Sequence, residues 1–376
     1  MDFPIAVFIL SAVSLLYVLF GYPLLLAVWP CRRPTKAANT PERWQSVTVV
    51  LPVRNGERWM RAKLETLRAL DYPRELVDIL VIADNCTDRT EEIVREFGDG
   101  VRLLRSPGSG KASAINHALA HSESEILFFT DVRQPLEPSA LSILVACFDD
   151  PKVGVATGEL IIRTGESREE ENVGLYWQYE KWIRQRHSAI DSVLGATGAI
   201  YAIRRSLACP LPNHTLLDDV HIPMCAFFSG YRIQWAGDAR ANYSPTALDA
   251  EFRRKVRTLA GVYQLIGKFP ALLGPGNRMW FHFISHKFGR LMLPFALLAL
   301  FASSFFLPSP WSGLLIAAQL GFYALAWLDG LIPERTLPKR ITSIVRTFVV
   351  LMTAALCAAS ILFRSSESFW RSPTKT

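Results

Sequence analysis

The feature that most constrains this chain is an uncharged apolar run over residues 3–29, FPIAVFILSAVSLLYVLFGYPLLLAVW. A helix needs roughly 20 apolar residues to cross a bilayer, so this run is long enough to span one. A cleaved signal peptide would start with a basic segment and contain a shorter apolar core. Here the start is acidic, at Asp2. We therefore predict a retained transmembrane anchor.

Basic residues follow the anchor at once, at Arg32, Arg33 and Lys36. Because Lys and Arg are enriched in the cytoplasmic flanks of membrane spans, the anchor is predicted to leave the membrane on the cytoplasmic side. The net charge of +7 fits this interpretation, since basic residues beside apolar runs favour contact with anionic membrane lipids. The sequence contains no nucleic-acid-binding motif, so nucleic acid is not predicted as a partner.

Three more spans are predicted near the C-terminus, over 288–307, 311–328 and 341–363. Basic residues precede the first of these spans and occupy the loop between the other two, so both places are predicted to face the cytoplasm. The last span fits least well, because it contains Arg346. The basic residues used for this prediction are Lys287, Arg290, Arg335, Lys339 and Arg340.

The chain between the apolar regions alternates strand-like with helix-like segments from Ser46 to Asp131. The strand-like segments are continuous apolar runs, which is typical of a parallel sheet covered by helices on both faces. We predict an α/β domain with a doubly wound, mostly parallel, Rossmann-like sheet. The predicted strands are 47–53, 78–84, 101–105 and 125–131, and the predicted helices are 57–70, 90–97 and 111–120.

These predictions divide the chain into five parts. The anchor covers 1–30 and the α/β domain covers 31–250. A basic amphipathic segment over 251–287 is predicted to lie in the membrane interface, because basic residues lead there into an aromatic stretch. A membrane region over 288–363 and a tail over 364–376 complete the chain.

Polar side chains stand where three of the predicted strands end. Arg54 and Asn55 follow the first strand, and Asp84 and Asp131 close two others. Ligands of open α/β sheets bind outside the carboxyl ends of the strands, so these residues suggest a ligand with anionic and hydrogen-bonding parts, such as a nucleotide. Each residue alone is also explained by a turn or a helix cap, which Asn and Asp favour.

Four motifs, in order along 46–265, resemble those of the family 2 glycosyltransferases with the GT-A fold. That family includes enzymes that resemble hyaluronan synthase, cellulose synthase and ceramide glucosyltransferase. The family's P-x-R-N-E resembles Pro52, Arg54, Asn55 and Glu57, with Gly56 inserted. Its Asp-rich strand end resembles ADNCTDRT (83–90), its G-K-x-x-A-L-N loop resembles the segment from Gly110 to Asn116, and its E-D pair resembles Asp218 and Asp219.

The resemblance implies a nucleotide-sugar donor and a role for each matched residue. Asp84 would bind the uracil base, and Pro52, Arg54, Asn55 and Glu57 would line the donor site. Lys111, at a predicted helix start where anions bind readily, would contact the diphosphate. Asp219, with Asp218 beside it, would be the general base, although adjacent carboxylates are often only a helix cap. Gly198, in GATGAIYAIRR (195–205), would lie on the acceptor side.

Two motifs depart from the family pattern. The metal-binding D-x-D motif is Asp131-Val132-Arg133, which leaves Asp131 as the predicted ligand of Mg²⁺ or Mn²⁺ and lets Arg133 pair with phosphate. The Q-x-x-R-W motif of polymerising members is 254–258, RKVRT, which lacks the Trp. Arg254 and Arg257 are predicted to lie near the diphosphate or the acceptor. Strict metal dependence and polymer synthesis are therefore not implied.

The predicted function is an inverting transfer of sugar from a nucleotide sugar, UDP-linked, to a lipid or glycan acceptor at the membrane, with the catalytic domain on the cytoplasmic side. A processive polysaccharide synthase is one alternative. The other is a non-catalytic membrane subunit that binds nucleotide sugars, and Arg133 keeps that alternative open.

The six cysteines are scattered and form no C-x-x-C pair. This spacing argues against a zinc site or a disulfide framework and fits a reducing compartment. We predict unpaired structural thiols at Cys31, Cys86, Cys147, Cys209, Cys225 and Cys357.

Overall fold

The structure, a computed structural model, describes residues 3–31, 39–98, 100–162, 168–243, 248–333 and 336–369. It divides into two compact units. The first unit comprises Met1–Pro30, Thr164–Ile183 and Thr246–Thr376, and the second comprises Cys31–Arg163 and Arg184–Pro245. Arg32, Arg33, Lys36 and Arg335, which were used to predict the topology, lie outside the described residues.

The second unit is built on one seven-stranded sheet. Its strands are β1 (Val47–Val53), β2 (Val77–Ala83), β3 (Val101–Arg105), β4 (Ile126–Phe129), β5 (Val153–Ile162), β6 (Tyr201–Arg204) and β7 (Arg232–Tyr243). Their order is β3-β2-β1-β4-β6-β5-β7. β6 is antiparallel to β4 and β5, and the other neighbours pair in parallel.

Helices account for the rest of the regular structure, in both units. Two π-helical segments, Tyr17–Gly21 and Phe283–Phe288, join α1 to α2 and α10 to α11. The helices are α1 (Phe3–Leu16), α2 (Tyr22–Val28), α3 (Glu57–Arg68), α4 (Thr90–Phe97), α5 (Lys111–Ala120), α6 (Ala140–Ala146), α7 (Arg168–Ile190), α8 (Asp218–Phe228), α9 (Leu248–Lys268), α10 (Trp280–His282), α11 (Gly289–Ser304), α12 (Trp311–Leu328) and α13 (Leu337–Ala358).

The predicted α/β class is confirmed. β1 reads VTVVLPV, and all of its residues except Pro52 are buried, as expected for a central parallel strand with helices on both faces. The predicted bounds of β1, α4, β3 and α5 agree with the structure. The apolar side of each helix decides which face it turns to the sheet.

The register of the sheet brings three strand ends together. Val53 at the end of β1 lies beside Ala83 at the end of β2, and Val50 lies beside Phe129 at the end of β4. Because these strands are parallel, the residues that follow them emerge at the same edge. That edge carries Arg54, Asp84 and Asp131.

The prediction of unpaired cysteines is wrong for two of the six. Cys209 and Cys225 are joined by a disulfide across a separation of 16 residues. Spacing alone did not indicate this pair, because Cys209 lies in a loop and Cys225 lies on α8, and the fold brings them together. The four other cysteines are free thiols.

The first unit contains four helical segments that are long and apolar enough to cross a membrane. They are Phe3–Val28, Trp280–Ser304, Trp311–Leu331 and Leu337–Leu362. Within this unit α1 packs against α11, and α13 packs against α9, α11 and α12. The second segment begins at Trp280, before the predicted start at 288, so both Lys287 and Arg290 lie within it. There Arg290 forms an ion pair with Glu180 of α7.

Arg346, which fits an apolar span poorly, has an acidic partner in the structure. Its guanidinium lies 3.2 Å from Oδ2 of Asp329, which is fully buried. The Lys339 ammonium lies 3.1 Å from the same oxygen, and the Thr342 hydroxyl donates to Oδ1 at 2.7 Å. The charge on Arg346 therefore belongs to a polar cluster that joins the end of α12 to α13.

Candidate active site

The candidate site is a cluster of three carboxylates around one ammonium group. Nζ of Lys111 lies 3.2 Å from Oδ1 of Asp131 and 3.1 Å from Oδ2 of Asp218. Burial lowers the pKa of Lys111, but attraction to Asp131, Asp218 and Asp219 outweighs burial and raises it above its ordinary value. The lysine is therefore a permanent cation that holds the end of β4 to the start of α8.

Lys111 is positioned by the turn that precedes α5. Gly110 has φ of 96°, a left-handed conformation that favours glycine, and it places Lys111 at the first helical position. The Gly110 amide donates a hydrogen bond to Oδ1 of Asp84 at 2.9 Å. Asp84 is only 5% exposed, so it orders this turn in addition to any contact with a ligand.

Asp219 is held from the opposite side by the loop before β6. The Gly198 amide donates to Oδ2 of Asp219 at 3.1 Å, and the Ala196 amide donates to its carbonyl at 2.8 Å. A Cβ atom on Gly198 would lie 3.0 Å from Oδ2, so a glycine allows this close approach. Burial, followed by repulsion from Asp218 and Asp131, raises the pKa of Asp219 to about 7, although Lys111 opposes the shift.

Tyr201, at the start of β6, is a site residue that the sequence did not reveal. It is fully buried, stacks on Phe129 at a centroid distance of 4.7 Å, and its hydroxyl has no hydrogen-bond partner among the described residues. Burial, with repulsion from Asp218 and Asp219, raises the pKa of the phenol well above its ordinary value. The hydroxyl therefore stays protonated and can act only as a neutral hydrogen-bonding group beside the carboxylates.

Lys63 is a second buried residue near the site that the sequence did not indicate. It lies on α3 among apolar residues, is 1% exposed, and donates to the Thr130 hydroxyl at 2.7 Å and to the Gln134 carbonyl at 2.6 Å. Thr130 in turn donates to the Ala199 carbonyl at 2.8 Å. Burial lowers the pKa of Lys63 to about 7, and Asp131 opposes the shift. A lysine in the apolar stripe of a helix was the signal that could have found it.

The segment after β1 forms a polar loop that contacts the loop after β2. Oδ1 of Asn55, which has φ of 52°, accepts a hydrogen bond from the Thr87 amide at 2.9 Å. The Glu57 amide donates to Asp88 at 3.0 Å, and the Glu57 carboxylate accepts from the Arg89 amide at 3.2 Å. Pro52 lies within β1, and Arg54 is exposed beside this loop. The residues that match P-x-R-N-E therefore line one side of the edge at which the parallel strands end.

Arg133 does not join the carboxylate cluster through an ion pair to any described residue, and its side chain is exposed. Asp131 and Asp218 supply carboxylate oxygens, the ligand type of a hard divalent cation, and Nζ of Lys111 lies between them. Magnesium sites typically use one or two carboxylates and complete their shell with phosphate oxygens and water. Loss of the second Asp of D-x-D is therefore compatible with a metal held largely by the donor.

Arg254 and Arg257 lie on α9, in the first unit. Their predicted place beside the diphosphate or the acceptor stays a prediction. The structure brings the other candidates, from Pro52 to Asp219, to one edge of the sheet in the second unit.

Comparison with protein families finds two matches. The model of Glycosyl transferase family 2 matches residues 48–209. The model of Glycosyl transferase family group 2 matches residues 135–328, more than half of the 376 residues. Together the matches include every candidate residue from Pro52 to Arg257.

Curated relatives and a solved structure agree with these matches. The chain is 24% identical to the probable glycosyltransferase YdaM of Bacillus subtilis, over 69% of this chain and 67% of that protein. It is 25% identical to a beta-monoglucosyldiacylglycerol synthase of Nostoc sp., over 47% of this chain and 40% of that protein. The mannosyltransferase PcManGT from Pyrobaculum calidifontis, solved with GDP-Man and Mn²⁺, superposes with a TM-score of 0.70 at 23% identity and covers 94% of this chain and 98% of its own. This likeness shows the GT-A fold.

Proposed function

This chain is a family 2 glycosyltransferase that uses a nucleotide-sugar donor, and we propose that it transfers one sugar, with inversion, to a lipid or glycan acceptor at the membrane. The observation that carries the proposal is Asp219. It is a carboxylate at the carboxyl edge of the sheet, fixed by Gly198 and raised in pKa to about 7. A general base works best when its pKa lies near the working pH.

In the proposed reaction Asp219 accepts the proton of the acceptor hydroxyl while that oxygen bonds to the anomeric carbon. The bond from this carbon to the donor phosphate breaks on the opposite face, and the nucleoside diphosphate leaves with the electron pair. A single displacement of this kind inverts the configuration. Because the Gly198 amide holds one Asp219 oxygen, the other is available for the proton.

The donor is proposed to bind along the strand ends. Asp84 and the loop around Asn55 would contact the nucleobase side, and Lys111 with the first turn of α5 would face the diphosphate, since the amino end of a helix attracts anions. Lys111 would then exchange part of its pairing with Asp131 for a phosphate. UDP is the proposed nucleotide, by the match of Asp84 to the family's base-binding Asp.

Asp131, with Asp218 behind it, would hold a divalent cation, Mg²⁺ or Mn²⁺, together with the diphosphate. Such an ion neutralises charge that develops on a leaving diphosphate. Arg133, as a guanidinium beside this position, would pair with phosphate oxygens.

A membrane acceptor is supported by the four helical segments long and apolar enough to span a bilayer. One relative is described as a synthase of a glycosylated diacylglycerol. Single transfer, instead of polymer synthesis, is favoured because Thr258 stands where polymerising members carry a Trp. The basic flanks of the spans support a cytoplasmic catalytic domain.

The test is transfer from a panel of UDP- and GDP-sugars by detergent-solubilised enzyme, with Asp219→Asn and Asp218→Asn as a matched pair. General-base catalysis contributes about 10²–10⁴-fold, so Asp219→Asn is expected to lose turnover in that range while nucleotide affinity stays within about threefold. Asp218→Asn, which keeps the shape but weakens the hold on Lys111, is expected to lower donor affinity more than turnover.

Three results would contradict the proposal. If Asp219→Asn also lost nucleotide binding, the residue would be structural. If neither variant changed the turnover of an active wild type, neither aspartate would be the base. If the wild type cleaved no nucleotide sugar with Mg²⁺ or Mn²⁺, the chain would be a binding subunit. Nuclear magnetic resonance of the product from an active donor decides between inversion and retention.

A further inference from the structure

A second cluster of metal-ligating side chains lies in the second unit, apart from the carboxylates around Lys111. One ligand atom each from Cys209, His221 and Cys225 lies within 4.8 Å of the others. His221 and Cys225 are four residues apart on α8 and so share one helix face. His221 is 8% exposed. The cluster is thus partly enclosed and includes two sulfur atoms and one imidazole.

The two sulfurs are bonded to each other in the structure. Disulfides persist in oxidising compartments, whereas cytosolic thiols are kept reduced, and a cysteine cluster in a cytosolic enzyme is more often metal-binding. The inference rests on the proposed function in one respect, the cytoplasmic position of the second unit. A cellular dithiol would reduce the pair there: the sulfur–sulfur bond breaks, each sulfur takes a proton, and the dithiol becomes a disulfide.

We propose that the reduced protein binds one zinc ion through Cys209, His221 and Cys225. Thiolate sulfur and imidazole nitrogen are the usual zinc ligands, and a set of two Cys and one His leaves a fourth position for water. Binding releases the two thiol protons to solvent, because the ligands are thiolates. Soft sulfur ligands separate this site from the oxygen ligands of Asp131, which suit Mg²⁺ or Mn²⁺.

The position of the site gives it a structural consequence. Cys209 lies in the loop between β6 and α8, and α8 begins with Asp218 and Asp219. An ion held by Cys209 and by the two α8 residues would tie this loop to the helix that carries the candidate base. The disulfide makes the same connection covalently. The thiol pair would therefore tie this loop to α8 in either redox state.

The experiment uses full-length protein in detergent, reduced with a phosphine and kept in excess Mg²⁺ to saturate oxygen-ligand sites. After dialysis against zinc, about one zinc per chain is expected by elemental analysis. Cobalt in place of zinc is expected to give a thiolate-to-cobalt charge-transfer absorption. Cys209→Ser and Cys225→Ser should weaken zinc binding by roughly tenfold or more, since each removes a thiolate. Cys31→Ser, which removes an exposed thiol outside the cluster, is the matched control and should retain the ion.

One arm needs no substitution. Wild-type protein oxidised with diamide should lose both the zinc and the charge-transfer absorption and regain them after reduction. The proposal is overturned if reduced wild type binds no zinc, if zinc stays after oxidation, or if Cys209→Ser binds zinc as tightly as the wild type. Sugar transfer measured on the same samples separates the two proposals. Transfer without zinc binding refutes the zinc site alone, and zinc binding without transfer by any donor refutes the proposed function alone.

Discussion

At the residue scale, the site is governed by three carboxylates that share one lysine. Lys111 contacts Asp131 and Asp218 directly, so Asp219 lies beside like charges that are only partly neutralised. Burial and repulsion therefore give the adjacent Asp218 and Asp219 different roles. Asp218 anchors the cation, and Asp219 holds a proton at near-neutral pH.

This difference predicts a pH dependence. Since burial and repulsion raise the pKa of Asp219 to about 7, the residue is protonated below this pH and cannot act as a base there. Turnover at saturating donor should rise with pH through about 7 and fall roughly tenfold for each pH unit below 6. Asp219→Asn should abolish this limb. A limb that persists in the Asn variant would assign it to another group.

Tyr201→Phe tests the hydroxyl without a partner. An unsatisfied buried polar group costs about 1–3 kcal/mol, so removing it while keeping the ring on Phe129 should raise the thermal midpoint of the ligand-free protein. If the hydroxyl contacts the reacting groups, turnover should drop by about tenfold at the same time, a trade of activity for stability. Differential scanning fluorimetry and donor turnover measure the two effects. A lower midpoint would show that the hydroxyl has a structural partner.

At the scale of elements, polar side chains hold loops and helix ends that apolar packing alone would leave undefined. In the second unit, Lys63 joins α3 to the segment after β4, and Thr130 continues the connection to the loop that holds Asp219. In the first unit, Asp329 at the end of α12 joins Lys339 and Arg346 of α13. The Asp329 connection buries a carboxylate with cationic partners, which makes it sensitive to the loss of one member.

Asp329→Ala is predicted to destabilise the α12–α13 pair. It would leave the Lys339 ammonium, whose side chain is 3% exposed, without its carboxylate, and breaking such a buried pair costs about 3–5 kcal/mol. Arg346→Ala is the control. Its side chain is 41% exposed, and such pairs contribute up to about 1 kcal/mol. In detergent, the midpoint of thermal unfolding of Asp329→Ala should be well below that of Arg346→Ala. Equal midpoints would contradict the structural role of the cluster.

At the scale of the whole molecule, the predicted topology places the loop 330–340 and the second unit in the same compartment. A single cysteine introduced at Leu337 in this loop, at Ser309, or at an exposed position of the second unit, such as Arg54, would report each side in a variant that lacks the native free thiols. Labelling in intact cells with a membrane-impermeant maleimide should modify Ser309→Cys and spare Leu337→Cys and Arg54→Cys. The opposite pattern would mean that the orientation is the reverse of the predicted one. The end of α12 that carries Asp329 would then lie on the outer side of the membrane.

The sequence determined the class of the fold and much of the site. Continuous apolar strands that alternate with amphipathic helices bury their apolar side chains in a parallel sheet covered on both faces, so the bounds of β1 through α5 were predicted closely. The positions of Asp84, Lys111, Asp131 and Asp219 at strand ends or helix starts were predicted as well. The apolar runs likewise predicted four spans, because length and lack of charge are local properties.

Tertiary structure decided what depends on distant residues coming together. Several features depend on contacts between residues of different elements. They are the bridge of Lys111 between Asp131 and Asp218, the burial of Lys63 and Tyr201, the ion pair of Arg346 with Asp329, and the disulfide of Cys209 with Cys225. No local pattern encodes such distances. A pKa, a bond between sulfurs and the balance of a buried charge depend on which groups the packed fold places within a few ångströms of one another.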